Sequence, residues 1–256
     1  MKEALLGYNV DSGSLTDIVD SIVAGIASAQ PRRCLACLNP HSYVVALKDH
    51  QFAAALRASD WLVPDGIGIV LASRVLRGGL RHRVSGPDVF AAVHQALNRT
   101  RGVRVFFLGG TPEALGRMRR RMEVEFPNIH VVGTYSPPFK PQYSAEENWQ
   151  MTEAVNAARA GVLWVGLTAP KQEKWVYGNK NGLSVRFIGA VGAAFDFYAG
   201  TVKPSPSFFR KHGLDWLPRL VQQPRRLWRR TFVSAPIFAW HVLKARLEVP
   251  AQPPAA

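Results

Sequence analysis

Several features that would identify a common enzyme class are absent from this sequence of 256 residues. It has two cysteines, Cys34 and Cys37, too few for a disulfide framework or a four-cysteine zinc site. It contains neither the G-x-G-x-x-G pattern of dinucleotide-binding proteins nor the P-loop pattern G-x-x-x-x-G-K-[ST]. No Asp-x-Asp pair occurs, so a metal-bridged diphosphate site has no obvious carboxylate ligands. We therefore predict neither a cofactor nor a metal site.

The chain also lacks long apolar runs and is poor in acidic residues. No segment reaches the roughly 18 uncharged apolar residues of a spanning helix, and the first nine residues are too short an apolar run for a signal peptide. We expect a cytoplasmic protein, either soluble or peripheral at the inner face of the cell membrane. Its 18 Asp and Glu oppose 32 Lys and Arg, a net charge of +14. Such a surface favours nucleic acid, anionic lipid or a phosphorylated substrate as partner.

Short β-rich runs alternate with longer spans of helical periodicity. The β-rich runs are 33–38, 61–63, 103–108, 129–132, 162–165 and 185–188, and the helical spans lie near 14–29, 50–58, 87–100, 112–125, 146–159 and 170–179. This alternation predicts an α/β, Rossmann-like domain over 1–200, with a mostly parallel sheet flanked by helices on both faces.

The pattern changes near residue 200. Between Lys203 and Arg246 no strand is evident, and ten Lys or Arg accompany one acid, Asp215, with aromatic residues interleaved. We predict a basic, aromatic helical appendage over 201–248. The Pro- and Ala-rich residues 249–256 are expected to form a disordered tail.

In a doubly wound sheet, ligands bind at the carboxyl ends of the strands, so the residues that follow each strand are the candidates for substrate binding. Those residues are Asn39, Gly109, Gly110, Gly166, Lys171, Gln172 and Glu173. Glycine-bearing loops that lead into helix N-termini offer backbone N–H groups to a phosphate, and Lys171 would add charge there. Glycine at such a turn also serves turn geometry alone, so both interpretations stay open.

One carboxylate, Asp65, stands out because it follows the apolar run at 61–63. It either caps the helix that begins near Ile67 or acts as a general base that deprotonates an acceptor hydroxyl. Arg83 belongs to a basic group within 74–83. That group is either a solvated helix face or an anion-recognition element beside Asp65.

The appendage contains an arginine cluster around Pro224, which begins a predicted helix. Its members are Arg219, Arg225, Arg226, Arg229 and Arg230. Cations at a helix N-terminus oppose the macrodipole at a cost of roughly 0.3–1 kcal/mol each, so a purely structural helix seldom collects several. Either these arginines cover apolar surface with their stems, or they bind a polyphosphate or an anionic membrane surface, as interfacial helices do.

A set of short motifs occurs in a fixed order between about residues 9 and 232. The motifs are Leu38-Asn39-Pro40-His41, Val63-Pro64-Asp65-Gly66-Ile67-Gly68, Arg83-Val84-Ser85-Gly86-Pro87-Asp88, Phe107-Leu108-Gly109-Gly110, Pro170-Lys171-Gln172-Glu173 and Gly213-Leu214-Asp215-Trp216-Leu217. In this register they resemble the WecG/TagA/CpsF family of bacterial glycosyltransferases, glycosyltransferase family 26.

The resemblance implies an inverting, metal-independent transfer of a hexose-type sugar from a UDP-sugar to a polyprenyl-diphosphate-linked saccharide in cell-surface polysaccharide synthesis. It implies that Asp65 and Arg83 are the catalytic residues, with Asp65 as the base. Arg83 and Gln172 match positions that line the donor pocket. The basic C-terminal segment matches the part that helps to close the site and meets the membrane.

Three positions depart from the family pattern. Cys37 stands where Thr is usual, Pro204 falls where Arg-Ala-Pro is usual, and Asp215 replaces a Glu. These changes bear on the choice of donor or acceptor rather than on the reaction class.

Two other functions remain open on sequence alone. The charge suits a nucleic-acid-binding protein, although no nucleic-acid-binding signature is present, and a non-catalytic nucleotide-sugar sensor could share the fold. Asp65, Arg83 and Gln172 match the base and donor-pocket positions of the family. This match favours an enzyme and argues against nucleic acid as a partner. Self-association is left open.

Overall fold

The structure is a computed structural model that describes residues 1–28, 31–203, 205–206, 208–209, 216–222 and 224–248. Its strands are β1 (Lys2–Leu5), β2 (Tyr8–Asp11), β3 (Arg33–Leu38), β4 (Trp61–Pro64), β5 (Val103–Gly109), β6 (Ile129–Tyr135), β7 (Val162–Gly166) and β8 (Phe187–Ala190). Its helices are α1 (Leu15–Ala27), α2 (Pro40–Ala46), α3 (His50–Arg57), α4 (Ile67–Val75), α5 (Gly86–Leu97), α6 (Pro112–Glu125), α7 (Ala145–Ala157), α8 (Lys171–Asn179), α9 (Ala194–Tyr198), α10 (Trp216–Gln222), α11 (Pro224–Trp228) and α12 (Ala235–Glu248). A 3₁₀ turn (Lys180–Gly182) follows α8, and a π-helical segment (Arg229–Ser234) joins α11 to α12.

Six strands form one sheet in the order β4-β3-β8-β7-β5-β6, and every neighbouring pair is parallel. The predicted parallel α/β fold is therefore confirmed. The chain passes from β3 outward to β4 and later returns to place β8 beside β3. Such a change of direction opens a crevice at the carboxyl ends of the strands.

Helices cover both faces of the sheet. On one face α1, α5, α6 and α9 pack around a core that includes the fully buried Phe90, Phe107 and Trp164. On the other face α7 and α8 pack on β5, β7 and β8, while α2, α3 and α4 pack on β3 and β4. Because both faces are buried, the strands consist of nearly continuous apolar residues, as parallel strands do.

The C-terminal helix α12 shares the core of the α/β layers. Phe238 and Val242 are each 5% exposed and belong to the same cluster as Leu38, Phe52 and Leu62. The π-helical segment and α12 both contact α2. The boundary predicted at residue 200 thus marks a change in amino-acid composition. Side chains from beyond that boundary complete the core that packs on β3 and β4.

Several elements differ from the sequence prediction, among them α2 and α9, which lie in none of the predicted helical spans. The antiparallel β1–β2 hairpin was not predicted, because its turn places Leu6 at φ 48° beside Gly7 at φ 82°, and leucine rarely signals such a turn. Strand β8 begins two residues later than predicted, since the apolar Val185 is buried in the preceding loop. The expected tail at 249–256 lies outside the described residues.

A membrane-spanning helix needs about 20 predominantly apolar residues. No helix within the described ranges is both long and apolar enough to span a bilayer.

Candidate active site

A cavity of about 390 Å³ lies at the carboxyl ends of β3, β4, β7 and β8. Its volume falls in the range of small-molecule sites, roughly 300–1,000 Å³. The predicted residues among those lining it are Asn39, Asp65, Arg83, Gln172, Glu173 and Arg230. The fold thus gathers residues from five segments of the chain around one space.

Asp65 reaches the cavity because β4 ends beside it. Its backbone N–H donates to Leu38 O at 2.8 Å, which continues the β3–β4 ladder by one residue. Gly66, at φ 96°, then turns the chain into α4 and occupies the N-cap position with no side-chain cap. The capping alternative for Asp65 is therefore wrong, and its carboxylate instead accepts a hydrogen bond from Asn39 Nδ2 at 3.4 Å.

Asn39 holds its amide in one orientation. It is the N-cap of α2, where its Oδ1 accepts from the Ser42 N–H at 2.9 Å. The Ser42 hydroxyl in turn accepts from the Asn39 N–H at 2.7 Å, completing a capping box. With the amide oxygen committed to the helix, the NH₂ group faces Asp65. Asn39 consequently links the start of α2 to the orientation of the carboxylate.

Arg83 lies beside the end of β4. Val84 N–H donates to Pro64 O at 3.0 Å, which ties this loop to the strand that carries Asp65. The Arg83 side chain is 19% exposed, and its Nη2 lies 3.9 Å from Asp88 Oδ2. The other arginines within 74–83 are exposed and do not line the cavity.

Gln172 and Glu173 occupy the first turn of α8, each 4% exposed. Gln172 Nε2 donates to Glu173 Oε1 at 2.9 Å. Gln172 Oε1 and Glu173 Oε2 are buried without a hydrogen-bond partner. Burial raises the pKa of Glu173 to about 7, opposed in part by Arg230.

The π-helical segment brings Arg230 to the cavity. Ser234 Oγ at its end lies 2.8 Å from His41 Nδ1 on α2, a hydrogen bond that holds the segment against the domain. Burial, with Arg230 and Arg229 nearby, lowers the pKa of His41 to about 4. Arg229 is exposed and does not line the cavity. The side chains of Arg219, Arg225 and Arg226 lie outside the described part of the structure.

Four predicted substrate-binding residues lie outside the cavity lining: Gly109, Gly110, Gly166 and Lys171. Gly109 and Gly166 are register partners on β5 and β7, and a Cβ on Gly109 would meet Gly166 O at 2.5 Å. Close backbone passage therefore accounts for that pair. Lys171 Nζ donates to Lys140 O at 2.9 Å and lies 4.4 Å from the Phe139 ring centroid.

Some lining residues were not predicted from sequence. Arg121 Nη1 donates to Tyr198 O at 3.0 Å, and its guanidinium lies 4.5 Å from the Tyr198 ring centroid. Both residues line the cavity. Arg121 also pairs with Glu125 four residues later, like other arginines of α6. Nothing in the sequence distinguishes it from an ordinary solvated helix charge.

In the part of the chain that the structure describes, no group of three or more His, Cys, Asp and Glu side chains could hold a metal ion. The two cysteines lie on β3 and pack on opposite faces of the sheet, as the strand prediction required.

The protein has a Rossmann-like α/β fold with a cavity at the carboxyl ends of its parallel sheet, where proteins of this fold bind their ligands. The chain belongs to the glycosyl transferase WecG/TagA/CpsF family, whose model matches residues 3–252. It is similar to an N-acetylglucosaminyldiphosphoundecaprenol N-acetyl-beta-D-mannosaminyltransferase of Bacillus subtilis, with 28% identity over 91% of this chain and 88% of the relative. A Staphylococcus aureus protein of the same name is 24% identical over 97% of this chain and 94% of its own length.

The predicted family and its glycosyltransferase activity are confirmed by these matches. They do not favour the nucleic-acid-binding or sensor alternatives.

Proposed function

We propose that this protein transfers N-acetylmannosamine from a UDP-linked donor to N-acetylglucosamine carried on undecaprenyl diphosphate. The relatives' names supply the sugar and the acceptor. The observation that carries the proposal is the cavity itself, where Asp65 is anchored by Asn39 with Arg83 and Arg230 around the same space. One carboxylate and several cations suit the transfer of a sugar from a diphosphate leaving group.

In the proposed mechanism Asp65 is the general base. It takes the proton of the acceptor hydroxyl as that oxygen attacks the anomeric carbon of the donor. The new C–O bond forms as the bond from the anomeric carbon to the diphosphate oxygen breaks, and UDP leaves with the electron pair. A single displacement of this kind inverts the anomeric configuration.

The leaving diphosphate needs positive charge, and arginines supply it in this proposal. Arg83 and Arg230 lie on different elements that face the same cavity. Preorganised cations aimed at developing negative charge stabilise the transition state without reorganisation. Metal-independent transfer is the corresponding expectation.

A donor panel tests the proposal directly. The protein is incubated with labelled UDP-N-acetylmannosamine, UDP-N-acetylmannosaminuronic acid, UDP-glucose or UDP-glucuronic acid and an N-acetylglucosaminyl-diphosphate lipid, with and without EDTA. We expect label in the lipid phase from UDP-N-acetylmannosamine, at equal rates in both conditions. Transfer from no donor, together with failure of UDP to raise the melting temperature, overturns the proposal.

We further propose that the C-terminal helices hold the protein peripherally at an anionic membrane. Large apolar side chains are exposed there, and they include Trp216, Trp228, Phe232, Trp240 and Leu243. Aromatic side chains beside arginine favour the membrane interface. The lipid-linked acceptor proposed above would be presented at that surface.

Charge reversal at two appendage positions tests membrane binding while sparing the cavity arginine Arg230. Replacing Arg225 and Arg226 by Glu should abolish sedimentation with vesicles that contain anionic phospholipid. The matched control replaces the exposed Arg99 and Arg101 by Glu, an equal change of charge far along the chain. Unchanged vesicle binding of the first variant, or equal loss in both, argues against the appendage as the docking surface.

A further inference from the structure

Two adjacent buried side chains at the start of α8 leave polar atoms without protein partners. Gln172 and Glu173 both line the cavity, and each is 4% exposed. The Gln172 NH₂ group donates to Glu173 Oε1 at 2.9 Å, whereas Gln172 Oε1 and Glu173 Oε2 have no partner. Buried polar atoms are nearly always hydrogen-bonded, so these two oxygens are acceptors that a substrate donor could satisfy.

The space next to the Gln172 amide is kept open by a glycine. A Cβ on Gly192 would lie 3.1 Å from Gln172 Oε1 and 3.3 Å from Nε2. Gly192 also lines the cavity and adopts φ 47°, a conformation that L side chains rarely adopt. A larger residue at this position would therefore press on the amide end of Gln172.

The polarity of that amide depends on its neighbour. An ionised carboxylate can only accept hydrogen bonds, so it must face the NH₂ group and leave the amide oxygen toward the cavity. A protonated carboxyl can also donate to the amide oxygen, which frees the amide to turn its NH₂ group outward. The ionisation state of Glu173 thus decides whether Gln172 turns its amide oxygen or its NH₂ group toward the cavity.

We propose that Glu173 is a positioning residue that, when ionised, fixes Gln172 with its amide oxygen toward a hydroxyl or N–H group of the sugar substrate. The inference deepens the proposed glycosyl transfer and rests on it. Glu173 touches no reacting atom in this scheme; it acts through Gln172.

The surroundings of Glu173 place its ionisation within a useful pH range. Burial raises its pKa to about 7, and Arg230 opposes that rise. The Cys37 thiol on β3 also faces it, with a pKa held well above its usual value by burial and by the Asp65 and Glu173 carboxylates. Lys180 and Tyr177 share the lining of a small internal void with Glu173. Substrate affinity should therefore increase as pH rises through about 7, when the carboxylate forms.

The test compares the KM for UDP-N-acetylmannosamine at pH 6 and pH 8 in wild type, Glu173→Gln and Gln172→Ala. We expect the wild-type KM to fall on the order of tenfold from pH 6 to pH 8, the value of one hydrogen bond to a buried acceptor, with a smaller change in kcat. Glu173→Gln keeps the size of the side chain but does not titrate, so its KM should be independent of pH. Gln172→Ala should have a raised KM that is also independent of pH.

A matched control is Glu153→Gln, since Glu153 is an exposed carboxylate on α7; it should keep the wild-type profile. A purely structural Glu173 would lower activity by the same factor at both pH values, so a Glu173→Gln enzyme that retains the wild-type change in KM overturns the inference. Melting temperatures establish that each variant is folded.

Calorimetric binding of the same UDP-sugar separates this inference from the proposed function. If wild type transfers no sugar, the proposed function fails, and the pH dependence of Kd still tests the positioning. If Kd depends on pH in wild type but not in Glu173→Gln, the inference stands; if the two dependences agree, it fails.

Discussion

Asp65 owes its position to the backbone on either side of it. The ladder bond from its N–H to Leu38 O holds it at the strand end, and Gly66 turns the chain away at once. A residue held between a strand and a glycine turn has little freedom to move with the helix that follows. The carboxylate is consequently presented to the cavity by rigid parts of the fold.

Replacing Asp65 by Asn tests its role as base. The substitution preserves shape but removes the proton acceptor, so we expect kcat to fall by about 10²–10⁴-fold. UDP affinity, measured by calorimetry, should stay within about twofold of wild type, because the base contacts the acceptor rather than the nucleotide. The control Asp20→Asn, on the exposed side of α1, should leave both quantities unchanged. Full activity of Asp65→Asn would require another base.

At the scale of elements, the start of α2 couples a helix cap to the site. Asn39 satisfies the helix with its amide oxygen and Asp65 with its amide nitrogen. A residue that only capped the helix could be Ser, Asp or Asn alike. The second contact is what makes asparagine, with both an acceptor and a donor, suitable here.

The substitution Asn39→Asp separates these two tasks. Aspartate still caps α2, so the melting temperature should change little. A second carboxylate beside Asp65 disfavours the doubly ionised pair, so the acid limb of the kcat/KM profile should move to higher pH by about one unit. Asn39→Ala should instead lower stability by about 1 kcal/mol without that displacement. An unmoved profile in Asn39→Asp would show that Asn39 does not bear on the base.

The elements themselves were largely predictable because strong periodicity and proline or glycine punctuation agree along most of the chain. Helix α6, predicted over 112–125, begins at Pro112 after the Thr111 cap and ends at Glu125. The β1–β2 hairpin escaped prediction because Leu6 at positive φ gives no sequence signal.

The site was predictable only in part, since position after a strand does not fix where a side chain points. Asp65 and Gln172 reach the cavity. Lys171, next to Gln172, is drawn instead to Lys140 O and the Phe139 ring, a tertiary contact that no local pattern encodes. The roles of these residues stay predictions.

For the molecule as a whole, a buried histidine makes the stability of the fold depend on pH. His94 Nδ1–H donates to Phe90 O at 2.7 Å, and its Nε2 accepts from Trp164 Nε1 at 3.1 Å. The bond from Trp164 requires the neutral ring, because a protonated Nε2 could only donate. Burial lowers the pKa of His94 to about 4 from an ordinary value of 6.5. Between those values the unfolded chain binds a proton that the folded protein excludes, so stability falls as pH falls from 6.5 to 4.

The variant His94→Gln isolates this effect. Its amide can make both hydrogen bonds but does not titrate, so the free energy of unfolding should fall less between pH 7 and pH 5 than in wild type. The difference should approach the order of 2 kcal/mol, measured by urea unfolding at each pH. His41 also lowers stability as pH falls, and Glu173 has the opposite effect. Both residues are present in wild type and in His94→Gln, so their effects cancel in the comparison. Replacing the exposed His130 by Gln provides the control. Parallel pH curves for wild type and His94→Gln would contradict the assignment.

The packing of the last helix, α12, also bears on when the cavity is completed during protein synthesis. Every strand of the sheet precedes residue 191, whereas Arg230 reaches the cavity only from the segment that Ser234 and Phe238 hold against the domain. On a translating ribosome Asp65 and Asn39 are therefore made long before the cavity is complete. A chain that stops early, or loses its end to a protease, would lack both a wall of the cavity and the Phe238 and Val242 side chains that pack in the core. The carboxyl end thus contributes to the core and to the proposed site together, and both are complete only once synthesis ends.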